Sequence, residues 1–209
     1  MKRPMTGKDA HLSAVKTPLT LDDIVDLRAY ERERAGFRSR VIEVKQRRRV
    51  AVGPFVTFVF ENRDTVRFQI QEMARAERML RDEQIQTELD TYNALLPSVG
   101  ELSATMFLEL TTTTELEEWL PKLVGIERAA VLVADDTEIA CTPEAAHAAQ
   151  LTRETITSAV HYVRFAVMPD QIELLRSARS VRLAVAHPAY AHATELHENT
   201  RKELLADLA

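Results

Sequence analysis

In "SAVHYVRFAV" (158–167) strict alternation sets Ala159, His161, Val163, Phe165 and Val167 on one face of a strand. "SATMFLEL" (103–110) does the same with Ala104, Met106, Leu108 and Leu110. "FVTFVFE" (55–61) is rich in β-branched and aromatic residues, and "VRLAVAHPAY" (181–190) reads as a last strand. "AAVLVA" (129–134) and "TEIACT" (137–142) flank Asp135-Asp136 as a hairpin. Pieces this short are not stable alone and must pair into a sheet.

Around them the spacing becomes helical. Thr20 followed by Asp23 is a cap-like start for "LDDIVDLRAY", and Phe37, Val41 and Val44 share a face of a second helix from Phe37 to Val50, closed by Gly53-Pro54. Further helices are expected over 65–80, 85–96, 114–125, 169–178 and 200–208, with a polar, Ala-rich connection at 143–156. Helices come first and then alternate irregularly with strands. The expected class is α+β, a largely antiparallel sheet packed against several helices with a helical N-terminal region. Residues 1–19 read as a flexible arm and 20–209 as one domain.

A single cysteine, Cys141, excludes an intrachain disulfide and a multi-cysteine metal site within this chain, and makes a reducing cytoplasm the default. No run approaches the roughly 18 apolar residues of a membrane span. The opening "MKRPMTGKDAHLSAVKTP" lacks the hydrophobic segment of a secretory signal. Charge is divided unevenly: residues 1–81 carry 18 Lys and Arg against 11 Asp and Glu, and residues 82–209 carry nine against 21. The expectation is that the two regions pack on one another or across a homodimer, with nucleic acid the lesser reading.

Three ionisable residues continue faces that should be buried. In "TVRFQIQEMARAERML" (65–80), about 100° per residue places Glu77 with Val66, Ile70 and Met73. His161 and His187 continue the apolar faces of their strands. A buried charge needs a partner. Arg81 is the local one for Glu77, and Glu77, His161 and His187 together are a candidate centre for a transition metal ion or a proton transfer, the site of an oxidoreductase-type enzyme. An inward Glu77 also predicts that Glu77→Ala destabilises through a cavity. His192 reads as a loop residue, "EAAH" (144–147) as a chance match to a di-iron spacing, and Cys141 as a small buried side chain.

Six of the twelve residues from Arg38 to Arg49 are basic. They are a candidate nucleic-acid stripe, but no aromatic platform is interleaved, so a solvated or salt-bridged helix face is the preferred reading. The arginines of 63–81 interleave with Glu61, Asp64, Glu72 and Glu77 as an internal ion-pair network. No Walker motif or nucleophile elbow is present.

The stretches "LTLDDIVDLRAYERER", "RRRVAVGPFVTFVFENRDTVRFQIQEMARAERM", "ELDTYNALLP", "LVGIER", "SAVHYVRF" and "AHPAY" together resemble a bacterial family of unknown function. Its members are commonly encoded beside rubrerythrin and an iron–sulfur electron-transfer protein. The resemblance therefore implies a role in redox or peroxide defence, with those two proteins as candidate partners. The family often carries Asp before the His-Pro of its last strand, where this chain has Ala186. The function expected is that of a cytoplasmic, non-enzymatic accessory protein that docks on a redox partner. A metal-dependent enzyme and a nucleic-acid binder using Arg38 to Arg49 are the alternatives.

Overall fold

In a computed structural model, described over residues 18–145 and 155–208, helices and two antiparallel sheets alternate as an α+β fold. A 3₁₀ turn at Leu21–Asp23 leads into α1 (Leu27–Arg48), whose N-cap Asp26 accepts hydrogen bonds from the Arg28 and Ala29 N–H groups. This 22-residue helix replaces the two expected separately. Gly36 does not interrupt it, since a lone glycine weakens a helix by only about 1 kcal/mol.

The expected helix end at Val50 is instead strand β1 (Arg49–Val52), and Gly53-Pro54 turn it into β2 (Val56–Phe60). There follow α2 (Arg63–Ala76), α3 (Asp82–Tyr92), β3 (Glu101–Leu108) and α4 (Thr113–Lys122). A 3₁₀ turn (Ile126–Arg128) precedes β4 (Ala130–Ala134), β5 (Thr137–Ala140), β6 (Thr142–Pro143) and β7 (Val160–Ala166). The chain closes with α5 (Pro169–Ser177), β8 (Val181–His187), β9 (Tyr190–Glu195) and α6 (Glu198–Leu208). Sequence spacing had not revealed β9, a strand of small and polar residues that gains its place by pairing with β8. Among the described residues no helix is long and apolar enough to cross a membrane.

The sheets run β1-β2-β3-β7-β6 and β5-β4-β8-β9. Their facing sides make the main core, where Phe58, Phe60, Met106 and Phe165 meet Leu132, Leu183 and Val185. Helices α2 and α3 cover the other face of the first sheet with Val66, Ile70 and Leu89 against Tyr162. Leu19, expected in the arm, is 2% exposed, and its backbone N–H and C=O bond the Asn93 side chain at 2.8 and 2.9 Å. At one margin the sheets are tied by Tyr190, whose hydroxyl donates to Val52 O at 2.7 Å and accepts from the Val56 N–H.

The divided charge meets itself inside the fold. Arg47 and Arg48 pair with Glu203, Arg48 also pairs with Asp207, and Arg49 reaches Glu109. Arg40 and Lys45 lie over the Phe37 and Phe68 rings. Much of the basic stretch from Arg38 to Arg49 is therefore engaged within the chain. The ion pairs of the α2 arginines run to other elements, Arg63 to Asp23 among them. Because α2 packs on α1, Arg75 pairs with Glu31 at 2.5 Å, Arg67 with Glu33 at 3.8 Å, and Glu72 with Arg34 at 2.7 Å. Arg34, with the Tyr30 hydroxyl, holds the Glu72 carboxyl down to about 2.

Candidate functional site

The end of α2 decides where Glu77 goes. The Met79 N–H bonds Ala74 O at 2.9 Å, the Arg78 N–H bonds Arg75 O at 3.3 Å, and Arg78 has φ +53°. These are the two bonds and the left-handed residue of a Schellman stop, with Arg where glycine is usual. The helix ends at Ala76, so the helical phase no longer governs the next residues. Glu77, expected inward, is exposed; Met79 tucks in at 7% exposure, and Leu80 stands out at 81%. Glu77→Ala should change stability by no more than about 0.5 kcal/mol, as surface substitutions do, and urea denaturation will check it.

Around Leu80 the surface is recessed on two sides. A cleft of about 650 Å³ is lined by Leu27, Arg28, Arg75, Arg78 and Leu80 together with Glu31 and Ala76. A slot of about 160 Å³, built largely of aliphatic side chains such as Leu21, Ile24, Met79 and Ile85, shares Leu27 and Leu80 with it. Arg75 is neutralised by Glu31. Among the described residues, Arg28 and Arg78 have no ion-pair partner, so their charge faces the cleft.

The two histidines sit elsewhere, on β7 and β8. His161 is 2% exposed, and its Nε2 lies 2.9 Å from both Ser158 O and Thr157 Oγ1. A carbonyl only accepts, so Nε2 carries the proton. Burial holds the ring below its usual 6.5, against the opposing pull of the Glu127 charge. The unfolded chain therefore takes up this proton first. Stability that is complete above about 6.5 should decline as pH falls toward the lower folded value, by at most about 1.4 kcal/mol per pH unit. Urea titrations at successive pH values will show this slope, reduced in His161→Asn.

His187 is half-buried: Nδ1 accepts from the Ala189 N–H and Nε2 donates to Val124 O, each at 3.2 Å. Ala186 projects to the opposite side of β8, so an Asp at that position would not reach the His187 ring on its own strand. Among the described residues no three of His, Cys, Asp and Glu are grouped to hold a metal ion, so Glu77, His161 and His187 do not form the expected centre. Arg81 is the exposed N-cap residue of α3 rather than a buried partner of Glu77. His192 lies on β9 with its ring 4.5 Å from that of Tyr190, not in a loop.

Cys141 is buried, donates to Glu127 O at 3.3 Å, and burial pushes its thiol up to about 11. A thiol held so high is a poor nucleophile at neutral pH. Glu144 is buried, while His147 of the "EAAH" spacing lies outside the described residues. Glu127, 5% exposed, has Oε1 3.9 Å from Arg128 Nε and an Oε2 with no hydrogen-bond partner among the described residues, and it acts electrostatically on His161.

A family model described as "Protein of unknown function (DUF3501)" matches residues 18–208, which include the whole cleft and slot. The chain belongs to the DUF3501 family. The DUF3501 chain is also similar to a solved structure, that of a novel protein of unknown function from Burkholderia pseudomallei. The two are 32% identical, with a TM-score of 0.84 over 92% of this chain and all of that one. No curated protein matches it.

Two features of the DUF3501 chain escaped sequence reasoning. Glu127 lies in "LVGIER", where Gly125 (φ +92°) and a 3₁₀ turn, rather than any periodicity, direct it inward. The Leu80 surface was hidden because Leu80 fits the helical stripe begun at Val66. The available signal was that Arg78 and Arg81 flank Met79 and Leu80, which sets two charges beside the apolar pair.

Proposed function

We propose that this protein is a non-enzymatic accessory protein of a rubrerythrin-linked redox or peroxide-stress system in the cytoplasm, acting by docking on its partner. The observation that carries this reading is Leu80, 81% exposed between an arginine-lined cleft and an aliphatic slot. Leu80 does not stand alone: it borders a slot that Leu21, Ile24, Leu27, Met79 and Ile85 also line, and a contiguous apolar surface rimmed by charge marks an interaction site where a single exposed leucine would not. Both nitrogens of His187 are engaged and Cys141 is raised and buried, which leaves these groups suited to structure rather than turnover. The rubrerythrin link rests on the family resemblance. Titration calorimetry with rubrerythrin of the same organism tests it. A complex should form at low salt and weaken as ionic strength approaches about 0.15 M. Two proteins that ignore each other at low salt would remove the reading.

A further inference from the structure

We propose that the cleft and slot together take an acidic polypeptide segment bearing one aliphatic side chain, an inference that rests on the docking reading. The carboxylates lie on Arg28 and Arg78, and the aliphatic group enters the slot beside Leu80. The two recesses share Leu27 and Leu80, so one ligand can span both. At about 160 Å³ the slot is below the usual range of small-molecule sites, about 300–1,000 Å³, but can admit an aliphatic side chain. Asp26, Arg81 and Asp82 also line it, a net negative charge, so the slot favours the aliphatic residue over an acidic one, whose carboxylate finds the net positive cleft instead. Guanidinium forks pair with carboxylates through two parallel hydrogen bonds.

Arg78 itself adds to the case. The φ +53° position would be less strained with glycine, yet the chain places a guanidinium there at the mouth of the cleft. A nucleic acid would also find arginines. However, its backbone has no aliphatic group for the slot, and among the described residues no aromatic side chain lines either recess for base stacking.

The test uses the full chain and a labelled short peptide of Asp and Glu with one central Leu, followed by fluorescence anisotropy. Binding at low salt should weaken about tenfold when the peptide's Leu becomes Ser, and comparably in Leu80→Ser and Arg78→Gly proteins. Arg78→Gly should melt at or above the parent temperature, so its loss of binding cannot be ascribed to unfolding. No binding, or binding indifferent to these changes, overturns the proposal. Tighter binding of a single-stranded oligonucleotide that depends on the same arginines also overturns it. If rubrerythrin binds Arg78→Gly as it binds the parent, the accessory role stands but this surface is not its means. Peptide binding of the expected kind without rubrerythrin binding supports this surface and removes the rubrerythrin link.

Discussion

Arg48→Ala should lose about 3 kcal/mol of stability, read from urea denaturation, and should expose the joint between α1 and α6. The Arg48 side chain is 1% exposed, donates from Nε to Phe60 O at 3.0 Å, pairs through Nη2 with Asp207, and lies 3.5 Å from Glu203. Removing one partner of a buried ion pair is worth about 3–5 kcal/mol, because the charge left behind is uncompensated. Here the lower end applies, since Asp207 and Glu203 keep 16% and 29% exposure and water can reach them. Phe60 O loses its guanidinium donor and the stem leaves a void. Arg48→Lys should recover only part, because one ammonium cannot serve three acceptors in fixed directions. An Arg48→Ala protein as stable as the parent would mean that the basic end of α1 is not locked to the C-terminal helix.

Gly53→Ala should cost about 3 kcal/mol. Two independent contributions add. Gly53 has φ +74°, where a residue with a Cβ is strained by about 1–2 kcal/mol. That Cβ would also stand 2.5 Å from the Tyr190 hydroxyl and 2.6 Å from Cγ of His192. Tyr190 cannot simply retreat, because its hydroxyl holds Val52 O and receives the Phe55 and Val56 N–H groups. Overpacking of this kind adds about 1–3 kcal/mol. In a Tyr190→Phe, His192→Ala background the steric part should vanish, leaving the backbone part. A double-mutant cycle by thermal denaturation separates the two. Equal losses in both backgrounds would show that the sheets do not close against each other at this margin.

Reading by pattern succeeded where a residue's environment follows from its own element. The alternation in "SAVHYVRFAV" placed His161 inward, and the structure buries it at 2%. Glu77 shows the limit. The expected stripe of α2 is buried at Val66 and Ile70 and half-buried at Met73, but a Schellman stop with Arg78 in the left-handed region carries no ordinary sequence mark, since Gly or Asn is the expected occupant. Three residues further on, an expected core leucine proved to be the most exposed large apolar side chain of the described chain.

The sequence by itself determined the class of fold, the strands with alternating faces, and the cap at Thr20, whose N–H donates to the Asp23 carboxylate at 2.8 Å, because these depend on contacts within a few residues. Only the tertiary structure decided which arginines are buried and which are free. Arg48 and Arg78 are chemically identical, and what separates them is whether a distant acidic helix or only solvent stands opposite. It also made β9 a strand, since Ala- and Thr-rich residues commit to extended backbone when a neighbouring strand supplies the hydrogen bonds.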